Sequence, residues 1–217
     1  RIEIHFPHYL TALAKFLAIQ LTMQPKEDDW LQIIYSLDYR QEMDTIRRRA
    51  VTKSEKPDND RQICEMILQD WMKYKPVHDD KVKEIIGVLK KCQKLPLADE
   101  CEKFVNFHRK YLTDSRMSEM AKTVEGDWES LASTLGLSKE EIDMCRRGEG
   151  DSNEETTLIV LGKWRVSEVA IISGFDVFND LLGRLENAQS NLKLREYIRE
   201  LLIQMEQNLT IRWHCKS

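Results

Sequence analysis

Apolar residues recur at three- and four-residue spacing along nearly the whole chain, and the pattern runs through twice. In the first pass Leu10, Leu13, Leu17 and Leu21 form one stripe, and Trp30, Ile33, Ile34 and Leu37 the next. A short segment around Met43 and Ile46 follows, then Ile63, Met66, Ile67 and Trp71, then Val82, Ile85, Ile86 and Leu89, then Leu97, Cys101, Phe104 and Val105. The second pass opens with Met117, Met120 and Ala121, followed by Trp128, Leu131, Ala132 and Leu135. It continues through Ile142 and Cys145, Leu158 with Leu161 and Trp164, Phe178 with Leu181, Leu182 and Leu185, and Leu194 with Ile198, Leu201 and Leu202. A 3.6-residue period predicts helices. The two passes also share landmarks: Trp30 aligns with Trp128, Ile46 with Cys145, Trp71 with Trp164, Ile85-Ile86 with Leu181-Leu182, and Phe104 with Leu201. Even the strings EMDTIRR (42–48) and EIDMCRR (141–147) correspond. Shared apolar columns with divergent exposed positions predict a duplication. The expected fold is all-α, with one six-helix unit over residues 1–112 and a second over 113–217.

Boundary residues agree with this reading. With only 8 Gly and 5 Pro, the chain signals few turns. Pro7 suits a first helical turn, and Pro25 with Glu27, Asp28 and Asp29 suits another helix start, where acids face unpaired N–H groups. KSEKPDND at 53–60 reads as a polar loop, and the fourth helix should stop before Pro76. Ser138 with Glu141, and Ser152 with Glu155, have capping-box spacing. The last helix is expected to run to about Leu209, which leaves a C-terminal extension. The first unit should end near Tyr111 or Leu112, where Thr113-Asp114-Ser115 can cap the next helix without a flexible linker.

Several kinds of chemistry find no residues to carry them. The histidines at 5, 8, 78, 108 and 214 form no HExxH and pair with no cysteine at zinc spacing. No GxxxxGK[ST], GxGxxG or GxSxG occurs, so no catalytic, cofactor-binding or metal site is assigned and no small-molecule substrate is expected. Cys64, Cys101 and Cys145 fall on apolar stripes and read as core residues of a reducing compartment, with Cys92 and Cys215 as exposed thiols. The tryptophans at 30, 71, 128 and 164 lie on apolar stripes and read as core, while Trp213 lies outside the repeat. The most apolar stretch, residues 10–23, is interrupted by Lys15 and Gln20 and is too short to cross a bilayer. No membrane insertion and a cytoplasmic location are therefore expected. A net charge of −4 argues against a nucleic-acid partner.

The second unit has a more specific signature. DWESLASTLGLSKEEIDMCRR, then LIVLGKW and FDVFNDLLGRLE, resembles a death domain. The first unit, with DDWLQIIYSLDYRQEMDTIRR, MILQDW and VKEIIGVLKK, is similar to a more diverged copy that has Leu37-Asp38-Tyr39 where the second has Leu-Gly-Leu. Paired death-effector domains are a related possibility, but the Arg-x-Asp-Leu string that many of them carry is missing. The resemblance implies antiparallel six-helix bundles that act by homotypic assembly, with no catalysis and no cofactor. The expected partners are other death-fold proteins, self-assembly included, in apoptotic or innate-immune signalling. The bland alternative is an inert or autoinhibitory helical module within a larger protein.

Charge narrows the contact residues. Residues 1–112 carry 20 Lys and Arg against 18 Asp and Glu, a net +2, whereas residues 113–217 carry 13 against 19, a net −6. Opposed charge steers encounter and fixes register. Arg47, Arg48 and Arg49, with Arg146 and Arg147, are the basic candidates; Asp151, Glu154 and Glu155 are the acidic ones.

Overall fold

The computed structural model describes residues 6–23, 29–37, 59–74, 78–146 and 152–214. It contains helices and no strand among the described residues. The chain divides into two compact units, one ending at Arg109 and the other beginning at Lys110.

The first unit is built from α1 (His8–Thr22), α2 (Asp29–Ser36), α3 (Asn59–Tyr74), α4 (His78–Lys91) and α5 (Leu95–Tyr111). The short third helix expected around Met43 and Ile46 lies outside the described residues, as does most of the polar loop; Asn59 and Asp60 of that loop open α3 instead. Lys15 is the one charged residue of α1, which buries Leu10, Ala12, Leu13, Ala14, Leu17, Ala18, Ile19 and Leu21. A helix apolar on most sides belongs at the centre of a bundle. Accordingly α1 packs along α3 and touches α2. Phe16 of α1 stacks on Phe104 of α5 with ring centroids 4.5 Å apart. Trp71 of α3 is buried, and the fully buried Lys81 of α4 lies against it. Its ammonium donates to the Trp71 carbonyl at 2.8 Å and sits 3.8 Å from the ring centroid. A buried cation needs such compensation.

The second unit comprises α6 (Asp114–Thr123), α7 (Trp128–Thr134), α8 (Lys139–Arg146), α9 (Asn153–Trp164), α10 (Glu168–Ser173), α11 (Val177–Asn187) and α12 (Leu192–His214). Here α9 is central, packing against α6, α7 and α8, while α12 lies against α6 and α11. Thr113 caps α6 by accepting from the Arg116 N–H, and both capping boxes form as the spacing predicts. The Leu-Gly-Leu turn closes α7: Gly136 has φ +79°, and the Leu137 N–H reaches back to the Ala132 carbonyl. This turn motif needs a left-handed residue, for which glycine carries no Cβ penalty.

Three features depart from the sequence reading. The stretch before Phe178, for which the stripe of Phe178, Leu181, Leu182 and Leu185 gives no helix, is helical: α10 runs through a 3-10 turn at Gly174–Asp176 into α11, so the fifth helix starts earlier and is bent. Gly174, at φ 56° and ψ −122°, makes that bend, in a conformation side chains disfavour. Secondly, α12 continues past Leu209 to His214 because neither glycine nor proline interrupts it. Thirdly, Trp71 and Trp164 are core residues, but Trp30 and Trp128 are only half-buried, since each sits in the first turn of its helix.

Candidate functional site

The predicted contact residues of the second unit that can be placed lie on α8 and α9. Asp127 caps α7, its carboxylate accepting from the Glu129 and Ser130 N–H groups at 2.7 and 3.3 Å, which sets Glu129 in the first turn. The Ser138–Glu141 box sets the start of α8, and Arg146 arrives in its last turn. There the Arg146 guanidinium grips Glu129 with two bonds, at 2.7 and 3.0 Å, and reaches Asp143 at 3.0 Å. The side-chain hydrogen bond from Arg146 holds the Glu129 carboxyl below its ordinary pKa, and the same bond raises that of Arg146. Arg146 is exposed, but its charge is already met by two carboxylates, and the surface it shares with them is net negative.

The adjoining acidic candidates differ from each other. Glu155 accepts from the Ser152 N–H at 2.8 Å and so closes the capping box of α9. Glu154, also in that first turn, is exposed. Farther along, Leu158 and Ile159 are exposed while Val160, Leu161 and Trp164 of the same helix are buried. Met144 of α8 is 55% exposed. Exposed acids and exposed apolar side chains thus occur together on α8 and α9. Arg47, Arg48, Arg49, Arg147 and Asp151 lie outside the described residues.

Two residues that sequence reasoning missed hold the second unit together. Arg165, at 7% exposure, donates to the Leu112 carbonyl at 3.0 Å and pairs with Asp114. It therefore ties the end of α9 to the start of α6. Tyr197 of α12 donates to Glu119 of α6 at 2.6 Å and receives a bond from Arg116 at 3.4 Å; burial raises its pKa. A single arginine after a tryptophan carries no pattern from which its burial can be read; Tyr197 falls on the spacing of Leu194, Ile198 and Leu201, but nothing in that spacing names its partners on α6.

The three core thiols are held protonated. Burial pushes Cys64 up to about 12 and raises Cys101 and Cys145 as well. Among the described residues no group of three or more His, Cys, Asp or Glu could hold a metal ion, and no helix is long and apolar enough to cross a membrane.

Residues 113–200 match the family model described as Death domain. The match covers the second unit from the cap of α6 into α12 and leaves the first unit unmatched. Comparison with curated proteins finds no match, and comparison with solved structures finds none. The second unit is similar to a Death domain, a family of protein-interaction modules that are in general not enzymes.

Proposed function

We propose that the chain is a non-enzymatic signalling adaptor that assembles with other death-fold domains through both of its units. The observation that carries this reading is the Death domain match over residues 113–200. Reading the first unit as a diverged copy draws support from its backbone. In the turn after α4, the Gln93 N–H bonds the Lys90 carbonyl, the Lys94 N–H bonds Leu89, and Gln93 has φ 59°. In the turn after α11, Gln189 bonds Glu186, Ser190 bonds Leu185, and Gln189 has φ 51°. The same paired-bond helix ending, with glutamine rather than glycine in the left-handed position, thus recurs at the aligned place. Asn191, one added residue at φ 54°, accounts for the one-residue shift in alignment between Ile85/Leu181 and Phe104/Leu201.

On this reading the protein works in the cytoplasm, in apoptotic or innate-immune-type signalling. Arg47, Arg48 and Arg49 present a basic contact, and Glu154, with Asp151, an acidic one. Titration of the purified chain against purified Death-domain modules tests it. Saturable binding is expected, weakened by Arg47→Glu with Arg48→Glu and separately by Glu154→Lys. Absence of binding to every such module, with the fold intact, overturns it.

A further inference from the structure

Gly87 of α4 aligns with Gly183 of α11, each directly after the matched pairs Ile85-Ile86 and Leu181-Leu182. Both lie inside helices, where glycine is less stable than alanine. At neither would an added Cβ meet any atom within 4 Å, so packing inside the unit does not call for the missing side chain. The two faces differ in charge. Around Gly183, Asp180 is held by Arg184 and Glu186 by Arg199. Around Gly87, Lys83, Lys90 and Lys91 stand at i−4, i+3 and i+4, on the same side of the helix. All three are exposed, and none has a side-chain partner among the described residues. This face of α4 is thus bare backbone set between unpaired ammonium groups.

The outer face of α12 has the opposite character. Glu196, Glu200, Ile203 and Gln207 follow one another at four-, three- and four-residue spacing and so share one side of the helix. All four are exposed, Ile203 by 54%, while Leu194, Ile198 and Leu201 bury the opposite side. Neither glutamate has a side-chain partner among the described residues. The spacings of the two faces match. Gly87 has one lysine four residues before it and two more three and four residues after it, and Ile203 has Glu200 three residues before it. At 1.5 Å of rise per residue, an isoleucine set over Gly87 brings Glu200 about 4.5 Å along the axis, beside Lys83 or Lys90 according to direction.

We infer that the Gly87 face of α4 in one copy packs against the Ile203 face of α12 in a second copy of this chain. The inference rests on the reading of the protein as a death-fold assembly module and names one partner and one contact for it. Charge complementarity selects the occupant. Three unpaired ammonium groups, in a half of net +2, face two unpaired carboxylates, in a half of net −6. Glycine lets the Ile203 side chain reach the helix backbone, an approach that a longer residue would block. Because the two faces are different surfaces, each copy keeps one of each for a further neighbour, and the contact propagates as a ring or an open chain.

Sedimentation velocity of the full chain tests it. Gly87→Gln should raise the thermal midpoint, because glycine is the weaker helix former and the added side chain starts in open space. The same variant should associate about tenfold or more weakly than the parent, because that side chain fills the contact. Two charge reversals give an independent arm. One variant carries Glu196→Lys and Glu200→Lys, the other Lys83→Glu and Lys90→Glu. Each alone should remain monomeric where the parent associates, because like charges then face each other. Mixed, they should assemble, since the two reversed faces match and so do the two unaltered ones. Association of Gly87→Gln or of either reversed variant at parental strength, with the fold intact by circular dichroism, overturns the α4–α12 contact while leaving the adaptor reading in place. So does a mixture of the reversed variants that fails to assemble, or a parent that stays monomeric yet binds Death-domain modules. Failure to bind any module overturns the adaptor reading itself.

Discussion

Arg165 is almost wholly buried, while its partner Asp114 has a carboxylate 68% exposed. The two ends of this pair therefore differ in worth. Arg165→Ala leaves the Leu112 carbonyl without its donor and should cost the second unit about 2–4 kcal/mol, read by urea unfolding. Asp114→Asn keeps a hydrogen-bond acceptor in a hydrated position and should cost less than about 1 kcal/mol. The thiols give a second residue-scale test. Folded Cys64 titrates near 12 rather than 9.0, so its native state keeps a proton that the unfolded chain gives up. Stability should be untouched by this group below pH 9.0 and should fall as pH rises toward about 12. At neutral pH a thiol reagent should modify the half-buried Cys92 and leave Cys64 and Cys101 unmodified until the chain unfolds. Rapid labelling of either core thiol in the folded chain would contradict their placement.

Helices and turns explain how much of the fold could be read beforehand. Stripes such as Leu10–Leu21 and caps such as Ser152–Glu155 were legible because period and cap spacing are local chemistry. The bent fifth helix was not. Glu168–Ser173 spans six residues, too few to show a period, and Gly174 reads as a stop although the chain turns and resumes its helix. The half-exposure of Trp128 was also hidden, because a residue in a first turn obeys the stripe without being covered by it. Of the candidate contact residues, the acidic character of the α9 start was legible, whereas the pairing of Arg146 with Glu129 depends on how α7 and α8 pack. The two matching glutamine turns carry their own prediction. A non-glycine residue in the left-handed region is held there at a cost, so Gln93→Gly and Gln189→Gly should each stabilise the chain by about 1 kcal/mol. Gly136→Ala should do the reverse by about 1–2 kcal/mol, since φ is +79° and the new Cβ would meet Arg184 at 3.2 Å. Thermal unfolding of the three variants checks both signs, and a destabilising Gln189→Gly would show that the turn is not strained as described.

Across the whole chain, the first 112 residues are net +2 and the remainder net −6. Neither value is extreme, so the contrast speaks to how copies and partners find one another rather than to solubility. The exposed side chains of α8 and α9 include acids and the apolar Met144, Leu158 and Ile159. Charge-directed assembly through such exposed surfaces must respond to ionic strength, because the screening length shrinks from about 10 Å at 0.1 M salt to about 3 Å at 1 M. Light scattering of the full chain, with and without a bound Death-domain module, from about 0.05 M to about 1 M salt, is the most direct measurement. Assembly through these surfaces predicts masses well above the 25.6 kDa of one chain at low salt, falling steeply toward the separate components as salt rises. A mass of 25.6 kDa at every salt and protein concentration, with no module bound at any of them, would contradict it.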